Sequence, residues 1–238
     1  GDDPIYQADS NGWTAKAAEK GFMVISPAYP GLTPEGEKVV LAVLDYAKKT
    51  YPIDENRVYL AGYSMGGAAA EILGLKNIDK FAAIAPMGAT GYHDDAFTAY
   101  VNSIKGNKDM PFAIIIGTED DSCLITDKRG NRVVKGGEPM KDGIKLLMEI
   151  NNISAGNPDY LSYPYWGYPT CNPEILTSRN LRYNVSYMYR EGDDKPIAKF
   201  VLFENAGHAH SDYYATLAWD FLSMFSRPDA GKRSSGRS

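Results

Sequence analysis

Between a short apolar run and a helix of small residues the chain reads Gly62-Tyr63-Ser64-Met65-Gly66-Gly67. No other stretch constrains the fold as much. A strand that passes into a helix at a single residue must turn sharply, and the corner residue is forced into a strained conformation. Side chains at Gly62 and Gly66 would collide across such a turn. Gly67 and the run Ala68-Ala69-Ala70 let the helix approach the sheet closely. Ser64 is therefore expected with its Oγ in the open, and the backbone N–H of Met65 is expected to aim at the same space. A bare Gly-X-Ser-X-Gly is a common accident. Set between a buried strand and a small-residue helix, it predicts a nucleophile.

The flanking sequence agrees with a sheet that supports such a corner. Phe22–Ser26, Val58–Ala61, Phe81–Ala85, Phe112–Ile116 and Phe200–Phe203 are continuous apolar runs rather than alternating ones. That is the pattern of parallel strands covered on both faces. Helical patterns lie between them. Thr33-Pro34-Glu35 is a helix start, with a capping hydroxyl, proline at the first position and an acid near the positive end of the dipole. Val39, Val40, Val43, Leu44 and Ala47 then share one face. Met140, Ile144, Leu147 and Met148 mark another helix. Tyr214, Leu217, Ala218, Phe221, Leu222 and Phe225 mark the last. The fold class expected is α/β, a doubly wound and mostly parallel sheet. It is expected as one domain over residues 1–228. Residues 157–194 interrupt the rhythm with Tyr160, Tyr163, Tyr165, Trp166 and Tyr168. They are expected to form an ordered aromatic insertion, since linkers are poor in aromatics. Residues 229–238 read as a flexible tail.

A serine at its ordinary pKa is a poor nucleophile and needs a base. In chains that place the nucleophile on such a corner, the acid and then the histidine follow it. There are 3 histidines. His93 follows the serine by only one strand-helix unit and reads as a surface-loop residue. His208 and His210 sit after the last strand, in Glu204-Asn205-Ala206-Gly207-His208-Ala209-His210. His208 is favoured because Gly207 permits a tight loop, and His210 is the alternative. The acid is expected after Phe112–Ile116, in Gly117-Thr118-Glu119-Asp120-Asp121, with Asp120 ahead of Asp121. Its task is to fix the imidazole tautomer and to stabilise imidazolium.

At these residues the chain resembles the polyhydroxybutyrate depolymerase-like and feruloyl esterase group of the α/β-hydrolase superfamily. Asp54-Glu55-Asn56-Arg57-Val58 leading into the Ser64 corner is similar to that group's elbow region. Asn11-Gly12-Trp13 through Gly21-Phe22 to Ser26-Pro27 is similar to the helix and strand before it. Gly117-Thr118-Glu119-Asp120 and Ala206-Gly207-His208 fit its acid and base loops. The likeness covers about residues 10 to 125 and the histidine loop, whereas 125 to 195 match poorly. It implies carboxylic-ester hydrolysis through an acyl-enzyme, with no cofactor and no metal. Ser64 would attack, His208 would carry the proton and Asp120 would orient it. Tyr63 and Trp166 would flank a small-molecule or polysaccharide-linked ester of feruloyl or acetyl-xylan type. A polyhydroxyalkanoate depolymerase and a prolyl-oligopeptidase-like peptidase are the alternatives.

In one respect the chain departs from that group, whose first oxyanion donor lies in a His-Gly loop after an earlier strand. Neither is present. Either the first strands of the sheet are absent, or they belong to a separate chain or an omitted N-terminal segment. The net charge of −5 leaves no basic stripe for nucleic acid, and no apolar run is long enough to cross a membrane. Two cysteines, Cys123 and Cys171, do not fix the compartment. An extracellular location is expected, with a cytoplasmic one left open.

Overall fold

The computed structural model describes residues 3–89, 94–106, 108–126, 128–130, 132–134, 139–154, 156–178 and 181–227. Four of the five apolar runs become strands: β1 (Tyr59–Tyr63), β2 (Ala83–Met87), β3 (Phe112–Gly117) and β8 (Ala198–Phe203). Two short strands, β4 (Leu124–Thr126) and β5 (Arg132–Val134), make a separate hairpin. β6 (Cys171–Ser178) and β7 (Leu181–Met188) complete a six-stranded sheet of order β1-β2-β3-β8-β7-β6. The first four pair in parallel, β7 adds antiparallel to β8, and β6 antiparallel to β7. The sheet is therefore mostly parallel, as expected. Residues 157–194 contribute both antiparallel strands to it.

The helices are α1 (Pro4–Ser10), α2 (Trp13–Lys20), α3 (Pro34–Thr50), α4 (Met65–Lys76), α5 (Asp95–Ile104), α6 (Pro139–Ile150) and α7 (Tyr214–Leu222). Thr33 caps α3 by accepting from the Gly36 N–H at 3.1 Å, and Pro34 opens the helix. Side chains alternate across a strand, and the core divides accordingly. Phe112, Ile114 and Ile116 point into a cluster with Leu75, Phe97, Val101, Ile144 and Leu147. Ala113 and Ile115 point into a second cluster with Leu217, Ala218, Phe221 and Leu222 of α7. Both faces of β3 are thus buried, which is why its sequence is apolar without interruption.

The fifth run, Phe22–Ser26, forms no strand. It has no ladder partner, and Met23 and Ile25 are 45% and 44% exposed. A strand exists only where a neighbour lies within about 5 Å. Here the run instead lines one wall of a cavity of about 1160 Å³, whose other walls include Val58–Gly62 of the β1 region and Val40, Val43 and Leu44 of α3. β1 is consequently an edge strand. The described cysteines are not joined to one another: Cys123 is buried and Cys171 exposed.

Candidate active site

Ser64 sits where β1 ends and α4 begins, with φ 54° and ψ −121°. Few non-glycine residues occupy that region, and the conformation costs of order 1–3 kcal/mol unless the surroundings impose it. The surroundings do impose it. A methyl group on Gly62 would drive into the carbonyl of Gly66, and one on Gly67 would lie 2.6 Å from the Met87 carbonyl oxygen. The Ser64 N–H donates to that same Met87 carbonyl at 2.8 Å, so the corner is fastened to β2. The crowding is one-sided. Gly66 faces open space, so its own lack of a side chain is not what the turn requires.

Two loops meet the serine from the strands beyond β2. Asp120, 1% exposed, accepts at Oδ1 from the backbone N–H of Ser122 (2.9 Å) and of Cys123 (3.2 Å). His208 Nδ1 lies 2.9 Å from Asp120 Oδ2 and 3.0 Å from Oδ1, and His208 Nε2 lies 2.8 Å from Ser64 Oγ. An ionised Asp120 can only accept, so Nδ1 carries the proton and Nε2 is left as the acceptor for the serine hydroxyl. Of the alternatives, Asp121 is exposed and His210 turns aside to place Nδ1 3.2 Å from Asn11 Oδ1. His93 lies outside the described residues.

The acid and base loops are bonded to each other as well as to the site. Glu119 N–H donates to the Ala206 carbonyl and Asn205 N–H to Thr118 Oγ1, both at 2.8 Å. This close crossing needs Gly117, because a methyl group there would drive into the Ala206 carbonyl. The residue that takes the left-handed conformation in the base loop is Asn205, φ 55°, and Gly207 has no such need. The backbone demand expected at Gly207 thus falls on Asn205, and the steric demand for glycine falls on Gly117. The signal for Gly117 was its place at the end of a buried strand, immediately before the acid loop.

Tyr63 packs its ring against His208 and His210, with centroids 5.0 and 4.5 Å away, and lines the large cavity with both. Burial, with Tyr214 and the charge of Asp120 adding to it, pushes its phenol well above the ordinary tyrosine range, so it is neutral. The Tyr214 hydroxyl donates to the Ala209 carbonyl at 3.0 Å and steadies the histidine loop. Trp166 corrects the sequence reading. It is 5% exposed, packs on Phe200 at 4.9 Å and belongs to the core, away from the cavity beside Ser64. An aromatic run under a long segment looks the same in sequence whether it faces a ligand or the sheet. Met65 is the first residue of α4, so its N–H has no carbonyl four residues back within the helix.

No protein-family model matches the chain. Over 126 residues, half of its length, it is 32% identical to a bifunctional acetylxylan esterase/xylanase, XynS20E, of Neocallimastix patriciarum. The chain spans 18% of that relative. Among solved structures, an acetyl xylan esterase from Aspergillus awamori superposes with a TM-score of 0.52 at 10% identity. That match covers 79% of this chain and 67% of the other. At this identity the likeness establishes the fold, which is that of the α/β-hydrolases.

Proposed function

We propose that the chain is the catalytic part of a serine carboxylic-ester hydrolase acting on acetyl or feruloyl esters of plant cell-wall polysaccharide. The observation that carries the reading is the unbroken relay from Asp120 through His208 to Ser64, each link 2.8–3.0 Å long. His208 Nε2 takes the hydroxyl proton as Ser64 Oγ bonds to the ester carbonyl carbon. Asp120 holds the imidazole's tautomer and balances the imidazolium. The Met65 N–H donates to the developing oxyanion. Collapse of the tetrahedral species returns the proton to the departing alcohol, and water repeats the sequence in reverse to free the acid. The polysaccharide part of the proposal is supported by the acetylxylan esterase relative. Such a substrate is met outside the cell.

A fluorophosphonate probe tests the chemistry and a substrate panel tests the class. Labelling confined to Ser64 is expected. So is release of acetate from acetylated xylan or of ferulate from methyl ferulate, with a prolyl amide left uncut. Folded protein that stays unlabelled would sink the enzyme reading, and cleavage of the amide alone would sink the ester reading.

A further inference from the structure

The buried thiol of Cys123 serves none of the steps above, yet it lies against the relay. Its backbone N–H bonds Asp120 Oδ1, and its Sγ donates to the Gly88 carbonyl at 2.6 Å. The Cys123 sulfur, a carboxylate oxygen of Asp120 and a ring nitrogen of His208 all fall within 4.8 Å of one another. One sulfur, one imidazole nitrogen and one carboxylate oxygen form a donor set suited to zinc or cadmium and poorly suited to magnesium. Bonds of about 2.0–2.3 Å at tetrahedral angles hold their ligand atoms about 3.5 Å apart. Shifts of about 1 Å in three side chains would gather these donors round one ion, and water would fill the fourth position.

We infer that Asp120, Cys123 and His208 form a binding site for a thiophilic divalent cation, and that occupancy switches the relay off. The thiol gives its proton to solvent, and its sulfur exchanges the Gly88 hydrogen bond for a metal bond. The ion takes His208 Nδ1, so the imidazole proton moves from Nδ1 to Nε2. An Nε2 that already bears hydrogen cannot accept the proton of Ser64. The ion is an inhibitor that competes with the active tautomer, and His208, at the mouth of the site with 27% of its side chain exposed, provides its entry. Binding does not depend on the function proposed above. Its consequence for turnover rests on that function.

Two measurements separate these. Cadmium chloride added to the wild-type protein is expected to give a thiolate-to-metal charge-transfer band in the ultraviolet at one equivalent. The band should be absent in Cys123→Ser and Cys123→Ala. Zinc chloride at micromolar concentration is expected to abolish both ester turnover and Ser64 labelling. A chelator should reverse this, equimolar magnesium should have no effect, and both variants should keep metal-free activity while needing at least tenfold more zinc. Cys123→Ser keeps a hydroxyl for the Gly88 carbonyl and covers the case in which alanine fails to fold. Absence of the cadmium band in the wild type overturns the site, whatever the esterase assay shows. Equal zinc sensitivity in the wild type and Cys123→Ser overturns the mechanism of inhibition.

Discussion

The two halves of the sheet are built differently, and the proposed site is strung between them. Asp120 and His208 rise from β3 and β8, which pair along their whole lengths and have every residue buried. Ser64 rises from β1, an edge strand beside a cavity of about 1160 Å³, with none of its residues fully buried. Protein interiors are normally packed as densely as organic crystals, so the contrast is large. Asp120 and His208 are positioned by a filled core and by hydrogen bonds between their loops. The serine is positioned by crowding inside its own turn, at the Gly62–Gly66 contact, and by β2, through the Gly67–Met87 approach and the Ser64 N–H bond to Met87. A side chain can thus be aimed by its own turn and one neighbouring strand, provided the turn leaves it no other conformation.

The largest effects should come from breaking the link between the halves. Ser64→Ala and His208→Ala are each expected to lower ester turnover by about a thousandfold or more, and the double variant little further, because the residues act as a unit. Steady-state kinetics on a p-nitrophenyl ester would show it; losses that multiply would mean that the two residues work separately. His210→Ala should be mild by comparison. The contrast in packing can be tested on its own terms. Ile114→Ala in the filled half should cost about 2–5 kcal/mol of unfolding free energy. Leu60→Ala on β1, whose side chain is only partly buried, should cost about 1 kcal/mol. Chemical denaturation gives both numbers, and equal costs would erase the difference between the halves.

A smaller effect concerns Lys199, a lysine buried in the filled half. Lys199 on β8 donates to the Leu217 carbonyl at 2.8 Å, and burial lowers its pKa to about 8 despite the charge of Asp220. The unfolded chain holds this proton up to about pH 10.4. Between pH 8 and 10.4 the unfolded state therefore binds more protons, and stability from this group rises with pH. Below pH 8 the protein carries the full cost of a buried ammonium, about 3 kcal/mol as an upper figure. Lys199→Met should raise the melting temperature at pH 7 and flatten the rise above pH 8. A variant less stable at pH 7 would mean that the bond to Leu217 outweighs the buried charge.

The filled half was the more legible in sequence, for a physical reason. Phe112–Ile116 and Phe200–Phe203 are buried on both faces, so their composition reports their environment directly. The Ser64 corner was legible because sharp turns demand glycine. The same logic failed at Phe22–Ser26, since an apolar run announces burial but not the neighbour that makes it a strand. Trp166 failed because composition does not say which way a ring faces. β6 was hidden because it is largely exposed, and β7 because polar residues alternate through it. The need for glycine at 117 was not legible because its constraint comes from Ala206, 89 positions away in the chain.

The alternation along β3 ties folding to the proposed chemistry in the manner of a reading frame. Phe112, Ile114 and Ile116 address one core, Ala113 and Ile115 the other, and the strand runs through Gly117 into the loop of Asp120. Loss of one residue inside the strand would exchange the contents of the two cores and slide the carboxylate one position along its loop. The chain can therefore change length in its loops far more easily than in β3, where one count sets both the packing and the position of the acid.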